Sequence, residues 1–153
     1  MRELTQQDLS RHFSNLVGKN VAFVKTFVNA LSKDKKVFAI YKSFPSEAPI
    51  VLTADLCLLG SLAGSLVGLP DSEVQSRLAK PGLDELLSDA ISEILNVTSA
   101  AIATEERAVF MQMVLDRSSI KDVADQILSK PNHQASFNVT VDNYQGGKFQ
   151  VFS

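Results

Sequence analysis

The amino-acid sequence predicts an α+β fold, a mostly antiparallel β-sheet with two long helices packed on it, as a single domain over residues 1–153. Strand-like and helix-like segments are mixed, without the strand–helix–strand regularity that a parallel sheet needs. Two segments, 55–69 and 83–103, carry helical patterning. With 153 residues and 45% hydrophobic content, one domain with a proper core is expected. No low-complexity tract or linker divides the chain.

The elements follow in order. Residues 4–17 read as a short amphipathic helix, with Leu4, Leu9, Phe13, Leu16 and Val17 apolar and Gly18 ending it. Val21 to Val28 is rich in β-branched and aromatic residues and reads as a strand. Lys36–Ser43 and Pro49–Thr53 read as two more, separated by Phe44-Pro45-Ser46-Glu47; Asp34 among its lysines marks the earlier turn. Asp55 to Leu69 is an apolar helix, capped by Thr53 or Asp55 and closed before Pro70. Gly60, Gly64 and Gly68 recur along it at every fourth position. An interior helical glycine costs about 0.8–1 kcal/mol relative to alanine, so a close approach of another helix or of the sheet is expected there.

Asp71–Lys80 reads as a short helix before Pro81-Gly82, and Leu83–Ala103 as a long one. Arg107–Asp116 is a strand, on which alternating Met111 and Met113 are expected to line one face of the core. Ser119–Ser129 reads as a helix opened by a capping-box-like Ser119-x-x-Asp122. Two last strands, Ala135–Val141 and Lys148–Phe152, flank the turn-forming 142–147 segment.

Composition narrows the function. The net charge of −2 and scattered basic residues give no nucleic-acid footprint. Residues 1–8 show no basic-plus-apolar signal and no apolar run reaches a membrane span, so a soluble cytoplasmic protein is expected. Cys57 reads as a buried structural thiol, and His12 and His133, with no metal-ligand spacing around them, as surface histidines. The glycine-patterned helix lacks the Gly-Lys-Ser/Thr of a phosphate loop.

The chemistry concentrates on the 83–103 helix. At 100° per residue, Asp89, Glu93 and Asn96 fall within about 60° of arc. Leu83, Leu86, Leu87, Ala90, Ile91, Ile94, Val97 and Ala101 take the opposite side, which is expected to be buried. An acid and a carboxamide then stand outward on a rigid element.

This Asp/Ser-x3-Glu-x2-Asn spacing, after the lead-in Leu83-Asp84-Glu85-Leu86 and before the small-residue tail of 96–101, resembles the signature helix of the CheC/CheX/FliY chemotaxis phosphatases. The resemblance implies their fold and their activity, removal of phosphate from the aspartyl-phosphate of a CheY-like response-regulator receiver domain. It implies that Asn96 aligns the attacking water, that Glu93 engages the receiver's active-site lysine, and that Asp89 orients Glu93 or contacts the partner. It implies no cofactor of the chain's own, the Mg²⁺ ion belonging to the receiver. Where the family carries a proline downstream of the asparagine, this chain has Ser119. A second motif copy is missing: aligning Asp55 with Asp89 puts Leu59 and Leu62 at the glutamate and asparagine positions. One site per chain is closest to CheX, whose relatives tend to form homodimers. The alternative is a non-catalytic CheC-like binding module for a receiver or a flagellar-switch protein.

Overall fold

A computed structural model describes residues 4–26, 35–103, 105–120 and 123–153. Its elements are α1 (Gln6–Val17), β1 (Val21–Lys25), β2 (Lys36–Phe44), β3 (Pro49–Asp55), α2 (Leu56–Val67), α3 (Asp71–Leu78), α4 (Glu85–Ile102), β4 (Arg107–Val114), α5 (Val123–Ser129), β5 (Gln134–Val141) and β6 (Gly147–Phe152). The six strands form one sheet in the order β1-β5-β6-β3-β2-β4, every neighbouring pair antiparallel. The α+β class stands as expected. Residues 27–28 of the expected first strand, the Asp34 turn and Asp122 of the expected capping box lie outside the described residues.

Strand alternation divides the core between the two faces of the sheet. On one face Val37, Ala39, Tyr41, Ile50, Leu52 and Phe149 meet the buried stripes of α1, α2 and α4. On the other, Phe38, Val51 and Phe152 meet Ile120 and Ala124 beneath α5. Helices α2 and α4 lie side by side on the sheet, as the sequence predicts. Local signals set the ends of α1: Thr5 Oγ1 accepts from the Asp8 N–H at 3.1 Å, and Gly18 closes it at φ +68°.

The glycine pattern of α2 receives another helix, one of the two partners expected, and that helix is α3. A Cβ on Gly60 would stand 2.7 Å from Leu78, and one on Gly64 2.3 Å from Val74, so these glycines seat α3. Gly68 is the left-handed cap of α2, at φ +82°. Asp55 occupies the N-cap position without capping; its buried carboxylate accepts instead from the Lys148 N–H (2.9 Å) and from Lys36 Nζ (3.1 Å).

Three further expectations change. The 119–129 helix is a short 3₁₀ turn, Arg117–Ser119, followed by the seven-residue α5. Met111 and Met113 do not share a face. The register of β2 against β4 slips between Ile40 and Tyr41, Met111 is 49% exposed, and Met113 packs against the core. Cys57 is half-buried, with Sγ 3.4 Å from the Gly146 carbonyl oxygen. No helix among the described residues is long and apolar enough to cross a membrane.

His133 is exposed, but His12 is half-buried, edge-on to Phe13 at 4.9 Å. Its Nε2 has no hydrogen-bond partner among the described residues, and burial lowers its pKa from 6.5. With the folded pKa below the unfolded one, this site's contribution is complete above the unfolded pKa and is lost as pH falls toward the folded value. His12→Leu is therefore expected to flatten the acid limb of stability below about pH 6.5. Thermal midpoints against pH check this, and an unchanged slope would refute it.

Candidate functional site

Helix α4 begins cleanly because Asp84, in extended backbone at the N-cap, accepts from the Leu87 N–H at 2.9 Å. Arg77 of α3 reaches the same carboxylate at 3.5 Å and ties the cap to the neighbouring helix. From there Leu87, Ala90, Ile91, Ile94, Leu95, Thr98 and Ile102 are buried, which pins the helix to the sheet and to α2. Asp89, Glu93 and Asn96 are all exposed on the far side. The structure thus brings together the three residues expected from the sequence, on one outward face.

Two residues assigned to the buried side belong with that face instead. Leu86 is 45% and Val97 36% exposed, while Leu95 and Thr98, not expected in the core, are among its most enclosed residues. On a helical projection Leu86 and Val97 lie about 60–80° from Asp89, directly beside Glu93. The exposed surface is therefore composite. Glu85, Asp89 and Glu93 rise at successive i, i+4 steps, and Leu86 and Val97 form an apolar shoulder along them.

None of the side chains of Glu85, Asp89, Glu93 and Asn96 has a hydrogen-bond or ion-pair partner among the described residues. Exposed carboxylates at i, i+4 repel by a few tenths of a kcal/mol, so the stripe favours an approaching cation. Asn96 adds a carboxamide that both donates and accepts. A face of carboxylates and a carboxamide can orient a water and bind an ammonium group. Among the described residues no cluster of three or more His, Cys, Asp or Glu side chains could hold a metal ion.

The backbone beneath Asn96 is unusual in its partners. The carbonyls of Ile94, Leu95 and Asn96 accept, in turn, from Thr98 Oγ1 (2.6 Å), the Tyr41 hydroxyl (2.6 Å) and Ser99 Oγ (2.7 Å). Tyr41 is fully buried, and burial pushes its phenol far above the usual range, so it stays protonated as a donor. The sequence marks Tyr41 only as an apolar strand residue. Ser119 ends the turn after β4, outside α4. The second-copy positions Asp55, Leu59 and Leu62 are all buried, so α2 carries no equivalent face.

No family model matches the chain, and no curated protein is similar to it in sequence. Solved structures are similar in fold. The FliM–SpeE complex from H. pylori matches with a TM-score of 0.68 at 12% identity, over 96% of this chain and 80% of that one. The CheX–CheY–BeF3–Mg²⁺ complex from Borrelia burgdorferi matches with a TM-score of 0.55 at 9% identity, over 98% of both chains. FliY from Thermotoga maritima matches with a TM-score of 0.54 at 12% identity, over 95% and 82%. The chain shares the α+β fold of these CheX, FliY and FliM structures.

Proposed function

We propose that this chain hydrolyses the aspartyl-phosphate of a CheY-like receiver domain in the cytoplasm, using the outward face of α4. The observation that carries the reading is that Glu93 and Asn96 stand exposed and without partners at the motif spacing, on a helix whose opposite side is locked into the core. Shared fold with a CheX–CheY complex supports it.

The chemistry asks little of the chain itself. Phosphoryl transfer is dominated by positioning and charge. The Asn96 carboxamide holds a water in line with the bond between phosphorus and the aspartyl oxygen. The water oxygen bonds to phosphorus, the aspartyl oxygen leaves with its electron pair, and inorganic phosphate and a free carboxylate result. Glu93 accepts from the receiver's lysine ammonium, which orients the two proteins, and Asp89 adds negative charge toward the same cation. The Mg²⁺ ion is the receiver's. The homodimer implied by the resemblance belongs to this reading.

Leu86 and Val97 supply docking area beside the polar groups. Fully burying a leucine side chain contributes about 1.5–3 kcal/mol. Burial of only its exposed part gives Leu86→Ser an expected rise in KM for the phosphorylated receiver of about tenfold, with kcat little changed. Steady-state rates against receiver concentration check this; a fall in kcat at constant KM would contradict the docking role.

The deciding experiment follows the decay of a phosphorylated CheY-like receiver with and without this protein. Acceleration is expected, and a decay rate independent of the protein overturns the reading. A second reading is favoured by one observation, the higher TM-score to the FliM complex than to the CheX complex, 0.68 against 0.55. In it the same face binds a receiver or a switch protein without hydrolysis. Phosphorylation-dependent binding with an unchanged decay rate selects it.

A further inference from the structure

Tyr41 lies on β2 with its ring fully enclosed, yet it carries a hydroxyl that must be satisfied. Its partner is the Leu95 carbonyl, 2.6 Å away and 54 positions distant in sequence. That carbonyl belongs to the residue immediately before Asn96. The hydroxyls on the two adjacent carbonyls, from Thr98 and Ser99, come from α4 itself and move with it. Tyr41 comes from the sheet and therefore refers the helix to a fixed frame.

The sheet is locally distorted at this residue. Ile40 faces Gln112 and Tyr41 faces Phe110, so Met111 has no residue opposite it. An extra residue of this kind bends a strand and re-aims the side chains around it. Phe110 lies against Tyr41, ring centroids 5.4 Å apart at 52°, and holds the phenol from the side. The bulge and the ring contact together seat the phenol under α4.

We infer that Tyr41 is a positioning residue for Asn96, its hydroxyl setting where the last two turns of α4 rest on the sheet. This rests on the reading of that face as a phosphatase site. Apolar side chains such as Ile91, Ile94 and Ile102 hold the helix down but are non-directional. A hydrogen bond to one carbonyl adds a direction and a distance. Misplacement of a reacting group by 1 Å costs up to about 100-fold, so a shift of a fraction of that is visible in rate.

The test is Tyr41→Phe, which keeps the ring and removes the hydroxyl. For the phosphorylated receiver, kcat is expected to fall about tenfold while KM stays within about twofold. Because Tyr41 acts through Asn96, the double variant Tyr41→Phe/Asn96→Ala is expected to be no slower than Asn96→Ala alone. The side-chain amide signals of Asn96 in the isolated protein should also shift. Phe110→Leu keeps the hydroxyl and loosens its seat; a fall in kcat of about threefold is expected, and this variant carries the test should Tyr41→Phe fail to fold. Unchanged kcat in the folded variants, or losses that multiply with that of Asn96→Ala, overturns the positioning role. If Asn96→Ala itself leaves the acceleration intact, the phosphatase reading fails instead.

Discussion

Asn96→Ala is expected to lower the protein-dependent rate of receiver dephosphorylation by about 100-fold, to a residual rate still measurable with the protein in excess. The side chain is exposed and bonded to nothing among the described residues, so its removal leaves no buried group unsatisfied. Helix propensity favours alanine over asparagine by a fraction of about 1 kcal/mol, so stability should be held or raised. A loss of rate with intact folding and unchanged KM is then a loss of transition-state positioning alone. Asn96→Asp sharpens the point. It keeps an acceptor, removes the amide donors and adds a third negative charge beside Asp89 and Glu93. It should be no better than alanine. Decay of the labelled receiver, in multiple turnover with the receiver in excess and in single turnover with it limiting, measures both variants.

The second large effect is on stability. Phe149→Ala is expected to cost about 3–5 kcal/mol, because a fully enclosed aromatic leaves a cavity that its surroundings fill incompletely. Phe149 is 0% exposed and sits among three other rings: Phe13 of α1 at 5.7 Å, Phe23 of β1 at 5.2 Å and Phe137 of β5 at 6.5 Å. Its removal loosens the joint between α1 and one half of the sheet. At about 2–4 °C per kcal/mol for a domain of this size, the midpoint should fall by roughly 10 °C. Urea unfolding followed by circular dichroism measures the loss, and a value below about 1 kcal/mol would mean that the ring cluster does not hold α1 to the sheet.

What could be read in advance follows from the range of each signal. The helix periodicity of 83–103 and its polar face are written in residues three and four apart, and the structure places Asp89, Glu93 and Asn96 outward as that pattern requires. The same arithmetic failed at the border of the apolar arc. Leu86 and Val97 are as apolar as their neighbours, and their exposure follows from how far α2 and the sheet reach around α4. The glycines of α2 signalled a close approach, but the residues filling it, Val74 and Leu78, come from a helix joined by a short turn. The bulge at Met111 is set by pairing between strands about seventy positions apart, and no local rule marks it. Tyr41 was invisible for the same reason: a phenol in a strand reads as core, and its partner is known only once α4 lies above it.

The thin layer beneath α5 has a consequence for how this protein opens. Among the described residues, seven residues of helix cover that side, over a small cluster formed by Phe38, Val51, Ile120, Ala124 and Phe152. Little apolar area holds it, so its detachment costs far less than global unfolding. Strand alternation puts Val37, Ala39, Ile50 and Leu52 on the opposite side, and their packing against the large helices does not depend on α5. The amides of α5 should exchange with solvent through a low-energy excursion while those of α4 wait for the whole domain to unfold. The molecule can breathe through its α5 side while the outward face of α4 stays rigid.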